Sequence, residues 1–255
     1  VDFDDISIVQ DDSDRVERGG GTMGSRSVPI GGAAISAAAE KLIETARVKA
    51  ADLLEAAIAD IDFEQGKFLI VGTDRSASFK EVAASVSTGD ELSFDEKDSF
   101  APGEATYPNG SHVCELEIDP ATGTIEILDY TVVDDFGKVI NPLLLEGQVH
   151  GGIGQGLGQA LLECCAYEAE SGQLLSASFM DYTMPRADDL PAIRFQRREV
   201  PCTTNPLGIK GAGEAGAIGA PPAIINAVVN ALAERGINHV DMPLTPNRVW
   251  RLATA

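Results

Sequence analysis

Asn205-Pro206-Leu207-Gly208-Ile209-Lys210-Gly211-Ala212-Gly213-Glu214-Ala215-Gly216 places one carboxylate, Glu214, in a glycine-dense loop just ahead of an apolar helix. Glycines there tolerate positive φ and let the backbone approach a ligand closely. Ile224, Ile225, Val228, Val229 and Leu232 recur at helical spacing, with Pro221 and Pro222 expected in the first turn and Gly236 as the stop. Glu214 is therefore expected near a helix N-terminus, where the dipole favours its anion, so a base working near neutrality needs compensating burial. A capping glutamate in a glycine turn fits the same residues.

Two further glycine-rich segments are joined to helices. Gly19-Gly20-Gly21-Thr22-Met23-Gly24-Ser25-Arg26-Ser27 precedes a long helix expected from Ala33 to about Ile61, with Ile35, Leu42, Ala46, Leu53, Leu54, Ala57 and Ile58 at helical spacing. Asn141-Pro142 opens a helix that carries Gln148-Val149-His150-Gly151-Gly152-Ile153-Gly154-Gln155-Gly156-Leu157-Gly158. Each glycine costs a helix about 0.8–1.0 kcal/mol against Ala, so something must compensate. Gly147, Gly151, Gly154 and Gly158 are read as one face open to close approach, with Val149, Ile153, Leu157 and Leu161 covering another. Free N–H groups at helix starts are how proteins hold phosphates, which points to a phosphate-bearing ligand; a glycine helix packed without any ligand is the alternative. Neither segment is a standard nucleotide signature: no Lys-Ser or Lys-Thr follows the first, and the second lacks the strand-turn context of a dinucleotide fold.

The remaining chain reads as strands at Asp5–Val9, Lys67–Val71, Glu91–Phe94, Leu174–Phe179 and Ile193–Val200. A short helix is expected at Ser78–Val86, and a hairpin pairs Val113–Ile118 with Thr124–Val133 around Asp119-Pro120-Ala121-Thr122-Gly123. The Pro- and Gly-containing connection from Asp95 to Asn109 divides the chain into two α/β lobes, residues 1–100 and 101–255, the second carrying the glycine helix and the Glu214 loop.

At 255 residues and 44% hydrophobic, the chain can bury a substantial core. Its net charge of −21, with no basic run, argues against nucleic acid or an anionic membrane as partner. No uninterrupted apolar stretch approaches the roughly 20 residues of a membrane span. Cys114, Cys164, Cys165 and Cys202 show neither CxxC spacing nor scaffold density, which suits a reducing, cytoplasmic setting. They also lack the clustering that iron–sulfur centres need. The acidic first residues carry no signal-peptide pattern, and a start without Met reads as a fragment or processed subunit.

Gly21–Ser27, Asn141-Pro142, Gln148–Leu161, Asp181-Tyr182 with Pro185, Lys210–Glu214 and Met242-Pro243-Leu244-Thr245-Pro246 occur in one order that resembles the molybdenum-binding large subunit of the xanthine oxidase family, the molybdenum hydroxylases. The resemblance covers essentially the whole chain and corresponds to the C-terminal half of such a subunit. It implies an α+β molybdenum-cofactor-binding domain of the aldehyde oxidase/xanthine dehydrogenase type, with mixed sheets and packed helices in two lobes.

The resemblance further implies that Thr22, Met23, Gly24, Ser25, Arg26 and Ser27, with Gln148, Gly151, Gly152 and Gln155, cradle a molybdopterin cytosine dinucleotide. Lys210, Gly211, Ala212 and Gly213 would line the same cofactor, and Glu214 would be the catalytic base. The pterin's sulfurs would hold molybdenum, so no protein metal ligand is expected. Electrons would leave through iron–sulfur clusters toward FAD on partner chains or domains. The expected assembly is a dimer of heteromers joining the N-terminal half of the subunit, an iron–sulfur subunit and a FAD subunit around a small-molecule substrate. The expected reaction is hydroxylation of an aldehyde or N-heterocycle with water as oxygen source, carbon monoxide oxidation being a variant. A non-catalytic cofactor-binding or assembly module, or an unrelated phosphate-ligand binder, are the other classes. His150 reads as structural, and His112 and His239 show no partner in the sequence. Adjacent Cys164 and Cys165 point to different helix faces, against a redox pair.

Overall fold

The computed structural model describes residues 1–10, 12–16, 19–86 and 94–254. The expected strand at Glu91–Phe94 falls mostly outside the described residues. The chain forms two compact units, one from Val1–Thr22 and Ile30–Ala101, the other from Met23–Pro29 and Pro102–Ala255.

In the first unit, helix α1 (Ala33–Leu54) buries a stripe of Ala46, Ala50, Ala51 and Leu54. Small side chains bring it close to an antiparallel sheet of β1 (Ile61–Glu64), β2 (Lys67–Ile70) and β3 (Ser76–Ser78). Gln65 and Gly66, both at positive φ (50° and 77°), make the two-residue turn between β1 and β2. Phe68 fills the centre, with Phe63 at 4.7 Å between ring centroids. Helix α2 (Phe79–Ala84) starts on a capping box in which the Glu81 N–H donates to Ser78 Oγ and the Ser78 N–H donates to Glu81 Oε2 at 2.7 Å.

The second unit is built on the long hairpin of β4 (Asn109–Ile118) and β5 (Ile125–Asp135), whose register shifts at Glu115/Leu116. Its turn is closed by Asp119, which accepts the Ala121 N–H at 2.9 Å and the Thr122 hydroxyl at 2.7 Å. β6 (Ile193–Arg198) adds parallel to β5. Helices α3 (Pro142–Leu157) and α4 (Ala215–Ala231) pack on each other, and α4 packs on β4; α5 (Pro246–Thr254) closes the core through Val249 and Ala253. Tyr130, Val132, Val149, Ile153, Leu157, Ile224, Val228 and Leu244 are at most 1% exposed. Each such apolar side chain contributes about 1.5–3 kcal/mol of burial. The architecture is α+β.

Four sequence expectations are corrected. Asp5–Val9 is not a strand: Phe3–Asp5 forms a 3-10 turn that the Ile6 N–H closes on the Phe3 carbonyl, Ile6 and Ile8 are exposed, and no strand pairs with the segment among the described residues. α1 stops at Leu54, where Glu55 turns left-handed (φ 52°), and Ala57 and Ile58, which carried the apolar spacing onward, are exposed. Among the described residues Leu174–Phe179 makes a single bridge, Leu174 to Tyr167, because Leu175 and Phe179 are exposed and Ser178–Asp181 closes a turn. Pro221 and Pro222 lie in the second turn of α4, since the Ile218 N–H already donates to the Glu214 carbonyl at 3.0 Å and starts the helix earlier.

Candidate functional site

The end of β5 is the platform for the Glu214 loop. Gly137 bridges Ile209, the Lys210 N–H donates to the Phe136 carbonyl at 2.8 Å, and the Lys138 N–H donates to the Gly208 carbonyl at 2.8 Å. Gly137 is obligatory, because its φ is 64° and a Cβ would stand 2.2 Å from the Gly208 oxygen. Buried Asn205 ties the loop to itself, donating from Nδ2 to the Ile209 carbonyl at 2.8 Å and accepting the Ile209 N–H at 3.1 Å. Lys210 sends its ammonium to Asp135, both side chains being nearly buried. Asp135 also accepts the N–H groups of Gly137 (2.8 Å) and Val200 (3.1 Å). Burial pushes the Asp135 carboxyl up, but the Lys210 ammonium and these two N–H donors outweigh it and hold it below the usual carboxylate range. Lys210, expected to line the cofactor, thus anchors its loop.

Beyond Lys210 the loop moulds onto the Met23–Pro29 segment. Gly211 is buried, donates its N–H to Thr106 Oγ1 at 3.3 Å, and presses on Ser25 so closely that a Cβ would fall 2.2 Å from the Ser25 carbonyl oxygen. Ser25 Oγ donates to Glu214 Oε2 at 2.6 Å, the length of a charge-assisted O–H···O⁻ bond. Glu214 occupies the N-cap position of α4 but makes no side-chain cap bond. Capping is therefore not its role, and the expected burial is also absent from these residues: Glu214 is exposed.

Glycine use on α3 differs from the expected single face. Gly147 and Gly151 have open space, whereas Gly152 and Gly156 pack against α4, where added Cβ atoms would lie 2.9 Å from the Ala217 nitrogen and 2.8 Å from the Ala220 Cβ. Gly158 abuts Glu163 and Pro185. The compensation for glycine in this helix is helix–helix contact, and Gly152 belongs to that contact. Gln148, Gly151 and Gln155, at i, i+3 and i+7, share an exposed face. Asn141 caps the helix by accepting the Leu144 N–H at 3.2 Å. Met23, Gly24, Arg26 and Ser27 are exposed, Ser25 is half-buried, and Ala212 and Gly213 complete the loop. Thr22 is exposed and belongs to the first unit. Exposed glycine backbone, amides and one guanidinium are a donor set suited to a phosphate-bearing pterin.

Sequence reasoning missed three residues. Asp135 and Thr106 hold the loop from far along the chain, and nothing in their own neighbourhood marks them. The third is His112, whose Nδ1 lies 2.8 Å from the Tyr130 hydroxyl and whose Nε2 lies 3.5 Å from Asp134 Oδ1, in a cluster that Gly219 of α4 covers. The positions of Tyr130 and Asp134 on one face of β5 are its only sequence signal. Burial, with Cys114 and Asp134 nearby, pushes the Tyr130 phenol well up. His239 reaches Asp241 at 3.3 Å, and His150 Nε2 lies 3.9 Å from Glu146.

Comparison with known proteins bears on the whole constellation. The molybdopterin cofactor-binding domain family matches residues 1–191. The carbon monoxide dehydrogenase large chain of Hydrogenophaga pseudoflava is 36% identical over 253 residues, and the nicotine 6-hydroxylase large subunit of Paenarthrobacter nicotinovorans is 34% identical over 259. These matches take in 96% and 98% of this chain but 31% and 32% of the relatives, so the chain spans about a third of their length. Among solved structures, a Cu,Mo-CO dehydrogenase superposes with a TM-score of 0.86 at 34% identity, covering 95% of this chain and 31% of that one. Quinoline 2-oxidoreductase from Pseudomonas putida 86 gives 0.81 at 36%, covering 91% and 30%. The chain belongs to the molybdopterin cofactor-binding domains of the xanthine oxidase family of molybdenum hydroxylases.

Proposed function

We propose that this chain is the cofactor-holding and proton-accepting part of an enzyme that hydroxylates an aldehyde or an N-heterocycle with water as oxygen source. The observation that carries the reading is Glu214: exposed, on a loop pinned to the sheet, with one carboxylate oxygen already engaged. When bound, molybdopterin cytosine dinucleotide supplies two-electron redox chemistry at molybdenum. The chain's own residues do the rest. The exposed α3 face of Gln148, Gly151 and Gln155, with Met23, Gly24, Arg26, Ser27 and Gly211–Gly213, binds and orients the cofactor, Arg26 pairing with a phosphate. Glu214 accepts at Oε1 the proton released as water-derived oxygen is transferred to substrate. Iron–sulfur and FAD chains or domains, and the rest of the large subunit, complete a dimer of heteromers that we place in the cytoplasm.

The similarity to nicotine 6-hydroxylase and quinoline 2-oxidoreductase favours an N-heterocycle. The similarity to carbon monoxide dehydrogenase large chains favours carbon monoxide as the second reading. Dye-linked turnover of the intact enzyme with aldehydes, N-heterocycles and carbon monoxide separates these. Glu214→Gln tests the base, because the amide is nearly isosteric and cannot accept the proton. Molybdenum content should be retained while turnover falls by about 10²-fold or more. Activity surviving within a few-fold removes Glu214 from the role.

A further inference from the structure

The hydroxyl of Ser25 points at Glu214. We propose that Ser25 is a positioning residue for the base, holding Glu214 Oε2 so that Oε1 is the oxygen presented for proton transfer. This rests on the reading of Glu214 as proton acceptor, and it moves the Ser25 hydroxyl from the expected phosphate cradle to the catalytic carboxylate.

The geometry is constrained from both segments. Ser25 follows Gly24 (φ 60°) and is itself left-handed at φ 53°, a conformation a serine keeps when its surroundings require it. The requirement comes from Gly211: with no Cβ there, the Ser25 carbonyl and Cβ lie where a side chain would stand, at 2.2 and 2.7 Å from its ideal position. A Cβ at Gly213 would lie 3.5 Å from Ser25 Oγ, so the loop wraps the hydroxyl on a second side. Through these contacts, residues 189 apart in sequence meet at a 2.6 Å hydrogen bond. An exposed glutamate otherwise samples several rotamers, and fixing one oxygen selects the geometry in which the other faces the reacting group. The pattern Gly-Ala-Gly-Glu thus has a specific purpose at its first glycine, which is to admit Ser25.

The test uses the intact enzyme with Ser25→Ala, Ser25→Gly, Glu214→Gln and the double variant Ser25→Ala/Glu214→Gln, measuring molybdenum content, kcat, KM and the crystallographic position of the Glu214 carboxylate. Ser25→Ala removes only the hydroxyl, and Ser25→Gly removes the whole side chain while tolerating the positive φ. Both single serine variants are expected to keep molybdenum, lose about tenfold to a hundredfold in kcat with KM within about twofold, and show a displaced carboxylate. In the Glu214→Gln background, Ser25→Ala should cause no further loss, since Ser25 acts through the carboxylate. Loss of molybdenum in Ser25→Gly would make Ser25 a cofactor ligand and overturn the proposal, as would full turnover in that variant or an additive loss in the double variant. If Glu214→Gln itself stays active, the assignment of the base fails; if Glu214→Gln is inactive and Ser25→Gly is not, only the role of Ser25 fails.

Discussion

Asp135 holds the start of the Glu214 loop through Lys210, as Ser25 contacts its end through Glu214. Lys210 is nearly buried, so its ammonium needs a partner, and Asp135 supplies one from the last position of β5. Asp135→Asn leaves that ammonium uncompensated and should cost roughly 3–5 kcal/mol in unfolding free energy, as breaking a buried pair does. The sign of the pH dependence follows from the lowered Asp135 carboxyl. Its contribution is fully present above the unfolded-state carboxylate range and is lost as pH falls through the lower folded value, so the wild type should lose stability toward acid more steeply than Asp135→Asn. Urea unfolding across that range reads both effects, and parallel acid profiles would show that the pair is not coupled to folding. At this scale Glu214 and Lys210 were legible because they share one stretch of chain. Asp135 was not, because it lies 75 residues from Lys210 and nothing local marks it; Ser25 was read as part of the cofactor cradle, and its contact with Glu214, 189 residues away, was not visible.

At the level of elements, alternation and turn chemistry were enough wherever neighbours in sequence are neighbours in space. The β4–β5 hairpin, the Ser78 cap of α2 and the Asn141 cap of α3 all form at or near the expected positions. The glycines of α3 show where that reasoning stops. Their number signalled close approach, but which ones are approached depends on α4, whose own start was misplaced by reading Pro221 and Pro222 as its first turn. Gly147→Ala and Gly152→Ala separate the roles. With open space at 147, alanine should stabilise by up to about 1 kcal/mol through helix propensity. At 152 the new methyl meets the α4 backbone, and forcing the helices apart should cost a net of about 1–3 kcal/mol. Thermal unfolding should therefore shift in opposite directions; shifts of the same sign would contradict the packing of α3 on α4.

For the molecule as a whole, the ordered set of glycine segments carried more than any one of them, and it led to the same family as the fold does. Composition contributed little, since a net charge of −21 is compatible with many chemistries. The His112–Tyr130–Asp134 cluster was not read from the sequence, because it depends on the register of β4 against β5 and on α4 covering it. The proposed function rests on this chain holding a molybdenum pterin beside Glu214. The most direct test is to purify the intact protein and measure its molybdenum, together with the nucleotide released from it by acid hydrolysis. Stoichiometric molybdenum with an equal amount of cytidine monophosphate is the expected result. Fully folded protein containing neither metal nor nucleotide would contradict it.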